Sequence, residues 1–164
     1  MSRTGLSALL VLLFCAGFAQ VDHSLPDPKV TPGAIDPISG NDLKHLCDPL
    51  AFLPRPEFGY TRQAELVQLN SAGYVDKEPS HYEENHLIPI ILGGAVDDQR
   101  NLWPEPYTGT WNARLKDRID LELHRRVCLP RGNPEWLPLD QAQREIATNW
   151  INAYKAYLPA GAQP

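Results

Sequence analysis

His86, Asn85, Glu83, Asn101 and Asn112 fall within thirty residues of one another, with Arg114, Lys116 and Arg118 directly behind them. An imidazole with an ordinary pKa near 6.5 is largely neutral at physiological pH, so His86 suits the task of taking a proton from water. Carboxamide and carboxylate oxygens suit a hard cation such as Mg²⁺, which takes a few oxygens from protein and fills its shell with water and substrate. Arg114, Lys116 and Arg118 suit phosphate contacts, with Lys116 four residues from Asn112 and therefore beside it on a helix. Each of the three also reads as an ordinary helix surface charge.

The elements that must position these groups are legible around them. Tyr82 to Leu92 reads as a strand region and its continuation, because Leu87, Ile88, Ile90, Ile91 and Leu92 are apolar and mostly β-favouring. Gly93-Gly94 permits a turn with positive φ, Asp97-Asp98-Gln99 a polar loop, and Asn101-Leu102-Trp103 a return strand stopped by Pro104 and Pro106. Trp111 to Val127 has apolar residues at 111, 115, 119, 123 and 127, one side of a helix that Asn112 begins. A helix from Thr61 to Ser71 is capped by Thr61 and supplies packing. A last helix runs from Asp140, an N-cap with Gln143 three residues on, to about Leu158, burying Ala142, Ile146, Trp150, Tyr154 and Leu158. His124 lies three turns from Asn112, too distant to share its site.

With 164 residues and 43% hydrophobic side chains, the chain is long enough for one domain with one core. Arg3, the apolar run Leu6–Phe14 and the small residues before Gln20 read as a signal peptide cleaved after Ala19, and the apolar run is too short for a membrane span. A lipoprotein anchored at Cys15 fits less well, because bulky Phe14 precedes it. Export leaves Cys47 and Cys128, two cysteines in a small domain of an oxidising compartment, which are expected to pair. The formal charge of -5 is the wrong sign for a general attraction to nucleic acid. Between Arg100 and Arg131, however, basic residues outnumber acids, so either a local basic face or a mixed solvated helix surface fits.

In residues 80–118, Tyr82-Glu83, His86-Leu-Ile-Pro, Gly93-Gly94, Asn101-Leu-Trp-Pro and Asn112 follow an order that resembles the HNH endonuclease family of exported bacterial type. The likeness extends more weakly from residue 45 to 158. It implies an α+β fold: a small ββα-metal core, extra packing helices and one disulfide. The layout is then a signal peptide (1–19), an extended Pro-rich lead-in (20–44), mobile at its start, an HNH nuclease-like domain (45–158) and a flexible tail (159–164). The resemblance makes His86 the general base and gives Asn101 a catalytic place, bracing the loop and the histidine. One divalent cation, Mg²⁺ or alternatively Mn²⁺, would be held by Asn85 and Asn112. The family usually has Asp where Asn85 stands, and Glu83, on the same side of a strand, could supply the missing charge or serve as a structural hydrogen-bond acceptor. Hydrolysis of a phosphodiester then needs the base, the cation and positive groups on the phosphates. The expected partner is nucleic acid, DNA before RNA, met by a monomer in the periplasm or outside the cell. Two other readings stand beside it: a binding module that Asn85 has deprived of metal, and an exported scaffold that keeps the hairpin only for folding.

Overall fold

A computed structural model describes residues 23–159 and 161, so the signal-peptide expectation and most of the tail lie outside the described residues. The protein is a mixed helix-and-strand fold built on one antiparallel hairpin, β1 (Tyr82–His86) and β2 (Leu102–Pro106). The register pairs Glu83 with Glu105, Asn85 with Trp103 and His86 with Leu102. β2 passes through the first of its two prolines, Pro104, and ends at the second, Pro106. They sit opposite Glu84 and Tyr82, two residues apart, where in a two-stranded ladder the missing N–H groups point outward and no ladder bond is lost.

The apolar run after His86 is not strand. Pro89 withholds an N–H, and the chain folds into a 3₁₀ turn over Ile90–Leu92 that Gly93 ends at φ 82°. Gly94 then passes so close to the carbonyl of Ile88 that a Cβ would overlap it. Buried apolar residues misled the strand assignment, because burial inside a folded-back loop and burial in a sheet look alike in sequence.

Two helices sandwich the hairpin. Helix α1 (Leu43–Leu46) is a single turn leading into Cys47. Helix α2 (Phe58–Ser71) starts three residues before Thr61 and lies on the hairpin face of Tyr82 and Glu84: Gln68 donates to the Leu102 carbonyl, and beyond the helix Tyr74 donates to that of Pro104. Helix α3 (Ala113–Val127), capped by Asn112, covers the opposite face, with the Lys116 ammonium 5.6 Å from the centre of the Trp103 ring. Helix α4 (Leu139–Tyr157) packs along α3, and Ile119, Leu123 and Val127 meet Ile146, Trp150 and Tyr154 in the core. Each of these large apolar side chains contributes about 1.5–3 kcal/mol relative to exposure. Asp140 does not cap α4; it pairs with Arg144, and Gln143 is buried, donating to the carbonyls of Gly40 and Leu92. Cys47 and Cys128 are bonded, fixing the end of α3 to α1.

Where the structure describes it, the lead-in is held by hydrogen bonds to the rest of the fold. Trp150 Nε1 donates to the Ser24 carbonyl, Ser24 Oγ to that of Trp111, and Thr31 Oγ1 to that of Leu102. Ile35 forms a bridge with Gly94. Residues 24–40 therefore belong to the same packed body as the hairpin. Proline content told of extended backbone and said nothing about what that backbone would lie against.

Candidate active site at the hairpin and helix α3

His86 closes β1 and leaves the strand on the opposite face from Asn85. Its ring is buried against the loop that follows, with Nε2 2.9 Å from the carbonyl oxygen of Val96. A carbonyl only accepts, so Nε2 carries the proton and, in the neutral ring, Nδ1 keeps the lone pair. Burial lowers the pKa of His86 below 6.5; the Val96 carbonyl and the charge of Asp97 oppose the shift, and Lys116 adds to it. The neutral ring therefore keeps Nδ1 as its acceptor.

Asn101 holds this arrangement together. It is fully buried, accepts from the backbone N–H of Ile88 (2.9 Å) and, at 3.4 Å, of Ala34, and donates to the carbonyls of Ile88 and Ala95. Its amide is committed to the backbone of the 87–98 loop, whose Val96 carbonyl orients His86. Asn101 is thus placed as a positioning residue, with both ends of its amide engaged by backbone.

Asn85 donates from Nδ2 to Glu105 Oε2 at 2.7 Å, and its Oδ1 accepts from the His86 N–H at 2.7 Å. Asn112 accepts from the Leu115 N–H and donates to the Gly109 carbonyl, which is capping work at the head of α3. Of the three groups expected to converge, Asn85 and His86 border one cleft and Asn112 does not. The cleft beside Asn85 and His86, about 350 Å³, is lined from α3 by Asp117, Asp120 and Leu121 instead, and Asn112 is not part of it. A larger depression of about 510 Å³ along α4 has Glu145 as its lone carboxylate and no histidine.

Behind the cleft, Glu83 and Glu105 lie side by side on the α3 face of the hairpin. Glu105 is wholly buried and its Oε1 has no hydrogen-bond partner. Desolvation pushes its carboxyl well above the ordinary range; Asp120 and Glu83 push the same way, and Lys116 and Asn85 oppose. Desolvation likewise raises Glu83, with Asp117 adding to it, and raises Asp120 to about 6 despite its pairing with Lys116. These oxygens are of the kind a hard cation takes, but among the described residues the one grouping of three His, Cys, Asp or Glu ligand atoms is Cys47, His124 and Cys128, whose cysteines are bonded to each other.

The three basic residues separate. Lys116 is completely buried, donating to the His86 carbonyl at 2.8 Å and to Asp120 at 2.9 Å, and is corrected from phosphate contact to structural strut. Arg114 and Arg118 are exposed, with Arg118 stacked 5.7 Å from the Tyr154 ring centre. Arg125 and Arg126 pair with Glu122 and Glu135, and Arg100 with Asp98, so the basic face is much smaller than the residue count implied. Sequence reasoning missed Asp117, Asp120 and Glu105. Lys116-x-x-x-Asp120 was a readable helix ion pair, and Glu105 alone between two prolines in a buried return strand was a readable anomaly.

Comparison of the chain with protein-family models, with curated proteins and with solved structures returns no match. No helix among the described residues is long and apolar enough to cross a membrane.

Proposed function

We propose that this chain is an exported, metal-dependent phosphodiester hydrolase of the HNH type, with β1, β2 and α3 as its ββα-metal core and nucleic acid, DNA before RNA, as its substrate. The observation that carries the reading is His86: a buried imidazole whose Nε2 is fixed on a backbone carbonyl, in a residue that borders the same cleft as Asn85, Asp117 and Asp120. Nδ1 takes the proton of a water, and the Val96 carbonyl, with Asp97 nearby, stabilises the imidazolium that results. Asn85, Asp117 and Asp120 line the cleft and would hold a divalent cation, Mg²⁺ or Mn²⁺. When bound, such a cation supplies charge stabilisation for the phosphate and the leaving oxygen. Arg114 and Arg118 are the remaining candidates for the phosphate backbone, and Asn101 keeps the His86 loop in place. The Cys47–Cys128 bridge fits an oxidising compartment.

One observation favours the second reading, a binding module without metal. Both ends of the Asn85 amide are already engaged, to Glu105 and to the His86 N–H, and the residue brings no charge to a dication. Nicking of supercoiled plasmid in Mg²⁺ or Mn²⁺ by the mature protein, beside His86→Ala and Asn85→Asp, separates the readings. The hydrolase reading expects nicking by the natural protein and none by His86→Ala. Nicking by Asn85→Asp alone would give the chain to the binding module, and inactivity of all three to the scaffold.

A further inference from the structure

Three side chains meet where α1 and α3 end. Cys47 closes α1, Cys128 closes α3, and His124 lies one turn back along α3 from Cys128. Their ligand atoms, two sulfurs and a ring nitrogen, lie within 4.8 Å of one another. All three residues are half-buried rather than sealed in the core. No other three His, Cys, Asp or Glu residues among the described ones bring ligand atoms so close.

The sulfurs are joined to each other, and metal binds thiolate rather than disulfide. A thiol reductant changes that. Two R–SH groups attack the bridge in turn and become R–S–S–R, and their two electrons and two protons leave Cys47 and Cys128 as thiols. His124 Nε2 stands 3.5 Å from Cys128 Sγ. A tetrahedral zinc, about 2.3 Å from sulfur and about 2.0–2.1 Å from nitrogen, holds those two atoms about 3.5 Å apart, so one edge of such a site already stands. Two sulfurs on the same ion sit about 3.8 Å apart, a separation that opening the bridge permits. Thiolate and imidazole together suit zinc and match Mg²⁺ poorly. Nε2 also donates to the Leu46 carbonyl at 2.9 Å, so ligation moves its proton to Nδ1 and releases that carbonyl.

We propose that reduction of the Cys47–Cys128 bridge turns this junction into a zinc site, with Cys47 Sγ, Cys128 Sγ and His124 Nε2 as ligands and a water in the fourth place. Zn²⁺ displaces one proton from each thiol as it binds. The junction of α1 with α3 then has two alternative ties, a covalent one where conditions oxidise and a metal one where thiols prevail. No residue lining the cleft beside His86 takes part, so the zinc site stands or falls apart from the hydrolase reading.

Metal titration of the protein, reduced with a phosphine and freed of excess reagent without air, tests this without reference to activity. The reduced natural protein is expected to take up one Co²⁺, with the sulfur-to-metal absorption and intense visible bands of a tetrahedral thiolate site. Zn²⁺ is expected to displace that Co²⁺, and zinc binding to the metal-free reduced protein to release about two protons per ion at pH 7. The bridged protein is expected to show none of these bands. His124→Ala, folded with its bridge closed and then reduced, is expected to bind Zn²⁺ about tenfold or more weakly, since loss of even an outer partner of a metal site costs that much. Should His124→Ala fold poorly, X-ray absorption of the zinc-loaded natural protein decides, with two sulfurs and an imidazole nitrogen expected around the ion. A shell without imidazole, equal Zn²⁺ affinity of the reduced natural protein and folded His124→Ala, or equal uptake by the bridged protein overturns the assignment. So does absence of any uptake by the reduced natural protein.

Discussion

Lys116 donates its ammonium proton to the backbone carbonyl of His86, 2.8 Å away, and so fastens α3 to the end of β1 at the residue expected to do the chemistry. The same ammonium is 2.9 Å from Asp120, one turn along the helix, and no part of Lys116 reaches solvent. A buried pair of this kind is costly to break from one side, because the partner is left charged and dry. Lys116→Met should therefore destabilise the fold by about 3–5 kcal/mol in urea unfolding, and Lys116→Met with Asp120→Leu should recover most of the loss. A single variant as stable as the natural protein would mean that the pair contributes nothing to holding helix and hairpin together.

Burial keeps His86 neutral, with its pKa below 6.5. A base depressed in the folded state contributes stability that is present above pH 6.5 and is lost as pH falls through the lower folded value. Plasmid nicking should accordingly hold its plateau to a pH below 6.5 before it declines. Urea midpoints should fall over the same acidic range, and His86→Gln should flatten that part of the stability curve. A nicking profile that bends at or above pH 7 would show that another group sets the rate.

On the α2 face of the hairpin, both carboxyl oxygens of Glu84 are buried without a partner. Desolvation, with Glu65 adding its repulsion, raises this carboxyl to about 8 from 4.5. An acid raised by folding costs nothing below the unfolded value and progressively lowers stability as pH climbs toward the folded one. The natural protein should lose stability between pH 4.5 and 8, where Tyr74 and Tyr60 also face Glu84 but remain neutral. Glu84→Gln should be more stable than the natural protein at pH 8, with the difference closing toward pH 4.5. Parallel pH–stability curves for the two proteins would refute the account.

The Cys47–Cys128 bridge joins residues 81 apart in sequence. Closing so long a loop in the unfolded chain is worth about 4 kcal/mol by chain entropy. Replacing both cysteines with serine should lower the unfolding free energy by about that amount, and adding a reductant to the natural protein should reproduce the effect. A double variant that unfolds at the same urea concentration as the natural protein would place the stabilising work elsewhere.

Periodicity found what periodicity encodes. The four-residue spacing from Trp111 to Val127 and from Ala142 to Leu158 located α3 and α4 because a helix must turn one side to the core. Cys47 and Cys128 are bonded, as two cysteines in a small domain of an oxidising compartment are expected to be. What sequence could not show was where a polar side chain spends its hydrogen bonds. Lys116 looks like any helix lysine until Asp120 and the His86 carbonyl are found above it, and Asn112 looks like a ligand until Gly109 and Leu115 claim it. Glu105 was hidden for another reason. Its meaning depends on strand register, which ties residues 85 and 105 together only once the hairpin is folded.

Ser24 and Trp150 meet through one bond across 126 positions of chain, deep in the same core that Trp111 and Tyr154 complete. Trimming the described chain from either side would therefore open the same interior, since loss of Ser24 takes a carbonyl from Trp150 and loss of α4 takes the indole that the lead-in rests on.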